Sequence, residues 1–195
     1  MTSIRETGTK TKIKHAFLEL LIEKGIDSLT ISDIARKANI NRGTFYLHYL
    51  DKYDLLDQLE IDFLQNIQIT FEKYRDDNIN DSVELIPYEA ILEVLKYALV
   101  NMKMLSVLMS VGRNNKLIDN FKEIIKDTII KKVNLSENLS LQMEGLPHDY
   151  AEEMLLSSII SIIQLWIKKG ALETPEEIAS MIIKAKKISP FDLLL

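Results

Sequence analysis

Cysteine is absent from the 195 residues. Its absence excludes disulfide frameworks, thiolate metal sites and cysteine nucleophiles; it suits a reducing cytosol, so a cytoplasmic location is the expectation. Glycine (6) and proline (4) are scarce, which disfavours a turn-rich all-β fold and favours long helices. The longest uncharged apolar run, Met154 to Ile167, is 14 residues long, whereas a membrane span needs about 20. It therefore reads as a buried helix, and no membrane association is expected. The opening Met1-Thr-Ser-Ile-Arg-Glu has no apolar stretch and does not read as a signal peptide. The 3 histidines (His15, His48, His148) have no metal-ligand spacing. No glycine-rich phosphate loop or nucleophile elbow stands out. No catalytic residue, metal or cofactor is assigned, and an enzyme is not expected.

What is present is the balance of a soluble globular protein, 47% hydrophobic and 27% charged. The length suggests one or two domains with an ordinary core. Net charge is −5, but it is unevenly spread. Residues 1–53 carry 9 Lys+Arg against 6 Asp+Glu, and residues 54–195 carry 15 against 23. A basic head on an acidic body suggests that only the head meets a polyanion.

Helical periodicity dominates. Ile13, Ala16, Phe17, Leu20 and Leu21 form one apolar stripe, stopped at Lys24-Gly25. Thr30-Ile-Ser-Asp33 is a capping box for a short helix packing Ile34, Ala35 and Ala38. Asn39 suits a left-handed turn. Asn41 caps a third helix expected to reach about Tyr49, and Asp51 caps a long fourth with the stripe Leu55, Leu56, Leu59, Phe63, Ile67, Phe71 and Tyr74. Residues 75–87 read as a polar connection. Beyond it, helices are expected over Tyr88–Met102, with a break near Lys103, then over 105–111 and 115–133, with a turn at Gly112-Arg-Asn-Asn. A weakly patterned loop at 134–147 precedes a helix over His148–Lys169. Thr174-Pro-Glu-Glu177, a second capping box, starts a last helix to about Ile188. The fold class expected is all-α.

Two short capped helices joined at Asn39-Ile40 make a helix-turn-helix pattern, in which the start of the second helix reaches base edges in the major groove. Ile40 and Phe45 suit the core, which leaves Asn41, Arg42, Thr44 and Tyr46 for contact. Thr30 and Lys52 sit at helix starts, which favour phosphate. Arg42 suits guanine or a phosphate clamp, Thr44 a thymine methyl or base edge. Gly43 permits close approach to the duplex or to a neighbouring helix. Met and aromatic side chains suit an adaptable apolar pocket, for which the candidates are Tyr97, Met102, Met109, Phe121 and Trp166. The helix over 148–169 is apolar around most of its circumference, so one face should pack inward and another on a partner chain. Ile159, Ile163, Trp166 and Ile167, with Ile178, Met181, Ile182 and Ala185 of the last helix, are the expected homodimer interface.

The spaced residues Thr30, Ile34, Ala35, Ala38, Ile40, Asn41-Arg-Gly-Thr-Phe-Tyr46, His48, Tyr49, Lys52 and Leu55 resemble the DNA-binding signature of the TetR family of bacterial regulators, over about residues 8–68. Asn39 stands where that family usually has glycine, Asn41 where serine is common, and Leu47 at an often polar position. The resemblance implies a three-helix DNA-binding head (1–50, motif 30–49) on a helical body (51–195) that dimerises and holds a ligand. It adds Tyr46, His48 and Tyr49 as backbone contacts. The function it implies is a homodimeric repressor released from a palindromic double-stranded operator by an apolar or aromatic small molecule. The alternatives are an activator, a regulator controlled by a protein partner, or a helical interaction protein without DNA binding.

Overall fold

The computed structural model describes residues 8–74, 86–110, 114–135 and 147–185. Regular structure among these is entirely helical: α1 (Gly8–Ser28), α2 (Ile31–Lys37), α3 (Arg42–Tyr46), α4 (Lys52–Lys73), α5 (Tyr88–Val100), α6 (Met102–Ser110), α7 (Asn114–Leu135), α8 (His148–Lys168) and α9 (Pro175–Ala185). An N-terminal helix-turn-helix domain precedes a C-terminal helical domain. Residues 112–113, most of the expected 134–147 loop and the expected end of α9 lie outside the described residues. Asn114 and Asn115, expected in a turn, belong instead to α7. The break expected near Lys103 falls at Asn101.

The head assembles from local signals. The α1 stripe buries Ile13, Ala16, Phe17, Leu20 and Leu21. At Gly25 the backbone takes φ 72, ψ 166, a region essentially closed to side-chain-bearing residues. The chain turns there and buries Ile26 and Leu29. Thr30 then makes both halves of the capping box with Asp33, and Asn39 takes the left-handed turn at φ 54. The third helix is shorter than its sequence suggests: α3 ends at Tyr46. Beyond it the Phe45 carbonyl accepts from both His48 N and Tyr49 N. That tightened turn brings Tyr49 into the core beside Phe45, with ring centroids 5.7 Å apart.

The longest apolar commitment is α4. Asp51 caps it by accepting from Tyr53 N and Asp54 N, and Asp54 in turn accepts from Leu50 N at 2.8 Å. Leu55, Leu56, Leu59, Phe63, Leu64, Ile67 and Phe71 are buried; at about 1.5–3 kcal/mol for each fully buried large side chain, the helix is fixed by packing rather than propensity. Its N-terminal half packs on α1 and its flanks on α5 and α7. The buried core is contiguous from Ile13 of α1 to Ile182 of α9.

In the body, α9 packs on α5 and α8, and α7 on α4, α6 and α8. The α8–α9 corner is held by Trp166, 1% exposed, whose Nε1 donates to the Glu173 carbonyl at 2.8 Å. Thr174 and Glu177 then cap α9 reciprocally. By length and composition α8 is apolar enough to cross a membrane. Here it is a bundle helix, with Glu152 and Glu153 ion-paired to Lys126 and Lys122 of α7.

Five residues expected at a dimer interface, Ile159, Trp166, Ile167, Ile178 and Ile182, lie in the chain's own core. The reason is that α9 spends its apolar face on α5 and α8. Met181 is exposed and Ala185 half-buried, so both keep accessible surface. The large apolar side chains that α8, α9 and their connection leave in the open are Tyr150, Met154, Leu165, Leu172 and Met181.

Gly25→Ala tests the turn after α1. The substituted chain should lose about 1–3 kcal/mol of stability, seen as a lowered denaturation midpoint with unchanged helix content at 25 °C. A midpoint equal to wild type would show that the turn relaxes at no cost.

Candidate nucleic-acid interface and body cavities

Outward on the head, α3 presents Arg42, Gly43 and Tyr46, followed by Leu47, while Phe45 points into the core. Arg42 pairs with no described residue. Tyr46 stands edge-on to Phe45, at 5.7 Å and 89°. Asn41 Oδ1 accepts from Thr44 N at 2.8 Å and from the Thr44 hydroxyl at 3.1 Å. A side chain at Gly43 would put its Cβ 3.1 Å from that same Oδ1, and no neighbouring helix comes within 4 Å. Gly43 therefore leaves room for the Asn41 cap, not for a helix crossing. Thr30 is exposed and engaged with Asp33. His48 is half-buried beside Tyr49.

Two expected contacts fall elsewhere. Tyr49 is buried at 3% exposure, because its ring completes the head core; this corrects its reading as a surface contact. Lys52 is also drawn inward. Its Nζ donates to the carbonyls of Ile26 (2.7 Å), Leu29 (2.9 Å) and Asp27 (3.2 Å), which uses all three ammonium hydrogens. It binds the turn after α1 to the start of α4 rather than standing free for phosphate.

The head's positive charge is likewise largely committed. Lys37 bridges Glu19 and Glu23, Arg36 and Lys24 reach Asp33, and Lys14 reaches Asp62 at 2.7 Å. Glu23 and Glu19 hold the Lys37 ammonium above its ordinary range. The Thr30 hydroxyl, then its backbone N–H, holds the Asp33 carboxyl below its own. Apart from Lys52, held by carbonyls, Lys10, Lys12 and Arg42 are the head cations without an acidic partner among the described residues. Sequence reasoning gave little weight to the large apolar side chains beside α3, Leu47 and Leu50, each 81% exposed. Their signal was available: neither falls in register with the apolar stripes of its neighbours.

Two of the cavities among the described residues bear on the expected pocket. The first, of about 50 Å³, lies between α4 (Phe63, Leu64, Ile67), α5, α6 (Leu105, Met109), α7 (Leu117, Ile118, Phe121) and α8 (Ile160, Ile163, Gln164, Ile167). Its walls are apolar apart from Gln164. The second is an open cleft of about 780 Å³ between α1, α4 and the α5–α6 junction, with Lys14, Asp62 and Tyr97 in its walls. Of the residues expected in one pocket, Met109 and Phe121 line the first cavity. Tyr97 lines the second, stacked on Phe63 at 5.3 Å. Met102 and Trp166 line neither; Trp166 is committed to the α8–α9 corner, which corrects its place in a pocket. Ile163 and Ile167, expected at a dimer interface, line the first cavity instead.

Sequence reading missed Glu60, the one charged side chain buried among the described residues. It falls in phase with Leu56 and Leu64, four residues away on either side, and that phase was the signal.

Two family descriptions match the chain: bacterial regulatory proteins of the tetR family over residues 13–59, and a transcriptional regulator C-terminal region, TetR_C_8, over residues 87–186. The chain is 23% identical over 177 residues to the uncharacterized HTH-type transcriptional regulator YxbF of Bacillus subtilis, covering 90% of this chain and 44% of that protein. It is 47% identical over 55 residues to the class D tetracycline repressor protein of Escherichia coli, covering 28% and 25%. Among solved structures, a TetR transcriptional regulator from Streptococcus agalactiae superposes with a TM-score of 0.60 at 25% identity, over 89% of this chain and 93% of that one. The chain spans 44% and 26% of the lengths of the first two curated relatives it matches.

Arg42→Ala and Lys52→Ala should separate the two kinds of cation. Arg42→Ala should cost about 1–3 kcal/mol of operator affinity with the melting temperature held, because it removes an unpaired surface guanidinium. Lys52→Ala should lower the melting temperature first, since charge-assisted bonds contribute about 1.5–3 kcal/mol each. A Lys52→Ala protein as stable as wild type but deficient in DNA binding would reverse that assignment.

Proposed function

The chain belongs to the TetR family of bacterial transcriptional regulators, with a helix-turn-helix DNA-binding domain, and from that premise we propose that it is a homodimeric repressor released from a palindromic operator by a small apolar effector. The observation that carries this reading is the double attachment of α4. At its start, Lys52, Leu55 and Leu56 are built into the head. Two turns on, Phe63, Leu64 and Ile67 form one wall of the small apolar cavity. An effector that enlarges the cavity by displacing this wall moves the helix that carries the head.

The contacts proposed for the duplex are Arg42, Thr44, Tyr46 and His48, with Gly43 permitting close approach and Thr30 and Asn41 lending helix N-termini to phosphate. The dimer is proposed to form through the exposed apolar side chains of α8, α9 and their connection, Met154, Leu165, Leu172 and Met181. A two-fold pair would set the recognition helices one DNA turn apart, about 34–36 Å, on a near-palindromic site. A cytoplasmic location follows from that role.

The cavity's size favours release over recruitment. At about 50 Å³ it is smaller than the roughly 150 Å³ hole that admits benzene. An effector must therefore bind an expanded arrangement more tightly than the compact one. Inverting a 99:1 population takes about 5.5 kcal/mol of such preference, and two cavities per dimer supply it jointly.

Linkage gives the test. Operator DNA should weaken effector binding by the same factor by which the effector weakens operator binding. Titrations with and without operator, followed through Trp166 emission, measure that factor. Equal effector affinities in the two titrations exclude the compound as an inducer. A monomeric mass by sedimentation at micromolar protein, or gel shifts without preference for palindromic DNA, would overturn the proposal itself.

A further inference from the structure

We infer that the effector cavity takes an apolar molecule bearing a protonated amine, with Glu60 as its counter-charge; this rests on the reading of that cavity as the effector site. Glu60 is 1% exposed. Its Oε1 accepts one long bond, 3.3 Å, from the Asn120 amide. Its Oε2 is buried and has no hydrogen-bond partner among the described residues. A buried carboxylate oxygen left unpaired is rare and costly, and it needs an explanation in the function of the site.

Its position supplies one. Glu60 lies one helical turn before Leu64 on α4, and Asn120 directly precedes Phe121 on α7; Leu64 and Phe121 both line the cavity. Along the α4–α7 seam, Glu60–Asn120 is the neighbouring layer on the side of the head. The layer beyond it is the ion pair of Asp57 with Lys116, 3.5 Å apart. No Lys, Arg or His lines the cavity, and its single polar wall residue is Gln164. An anionic head would meet no counter-charge there and would be repelled by Glu60. A neutral hydrocarbon would leave Oε2 unpaired, and an alcohol would donate to it without balancing its charge. Glu60 and Asn120 are not themselves wall residues of the compact cavity; in the expanded arrangement proposed above, which opens the α4–α7 seam by one layer, an ammonium donates to Oε2 while its apolar chain lies against Phe63, Leu64 and Phe121. It also bears on α4 itself, the helix that must move.

The test uses the full-length protein and three probes of one chain length, n-octylamine, 1-octanol and octanoate, with binding read by calorimetry and Trp166 emission below their aggregation limits. The expected result is octylamine binding at least tenfold more tightly than octanol, with octanoate weakest. Glu60→Gln, which keeps the shape and the Asn120 contact, should bring amine and alcohol level without lowering the melting temperature. Amine and alcohol of equal affinity in the wild type would overturn the inference, and so would an amine preference that survives Glu60→Gln. Ala98→Leu, which fills the cavity from α5, tells that failure from a deeper one. Octanol binding that the filled variant loses, without an amine advantage, leaves the effector cavity standing and removes only its charge preference. If no probe binds, or if filling the cavity leaves binding unchanged, the cavity reading falls and the inference with it.

Discussion

The structure depends on one constraint: α4 must bury apolar surface in two directions along a single helix. Near its start it completes the three-helix head, where Leu55 and Leu56 meet the α1 core. Further on, Phe63, Leu64, Ile67 and Phe71 belong to the body. An α-helix of 22 residues with an uninterrupted hydrogen-bond ladder transmits rotation far better than a loop would. The Asp51 cap, the Leu50 N–H donated to Asp54 and the Lys52 ammonium fix its first turn to the head. The coupling proposed above is then mechanical, and it requires no chain of specific residues between the duplex and the cavity.

The same constraint explains which parts of the molecule were legible in the sequence. The head was legible nearly whole, because each element carries its own terminators: Gly25, the Thr30–Asp33 box, Asn39, Asn41 and Asp51 act within a few residues of where they sit. The early end of α3 was not. Asn41 marks where that helix begins, but its end is decided by Tyr49, whose ring is needed in the core. Lys52 was misread for a related reason. A lysine at a helix start looks free for phosphate, and only the folded turn brings the carbonyls of Ile26 and Leu29 within its reach.

In the body, periodicity located the helices but could not say which neighbour each face would meet. An all-round apolar helix such as α8 announces that it is covered on several sides. It does not announce that α9 covers Ile159 while Leu165 is left open. The proposed pocket residues divided on the same ground. Met109 and Phe121 line the small apolar cavity, Tyr97 turns to the other side of α4, and Trp166 closes a corner. Glu60 hid in plain view, since a charge in phase with leucines is ordinarily read as the polar edge of a stripe.

The brevity of α3 carries a consequence for how much information one head can extract from DNA. The proposed contacts Arg42, Thr44, Tyr46 and His48 would between them inspect only a handful of base pairs, and Gly43 would contribute a backbone rather than a letter. A bacterial chromosome offers on the order of a million competing positions. A word of three or four letters recurs thousands of times in such a text, so a single head is a poor address reader however well it binds. Only the conjunction of two words at a fixed interval is rare enough to name one place. In the homodimer proposed above, the genetic address is thus written as much in the spacing of the two heads as in any side chain, and a mutation deep in the body that altered that spacing would misdirect the protein as surely as one in α3.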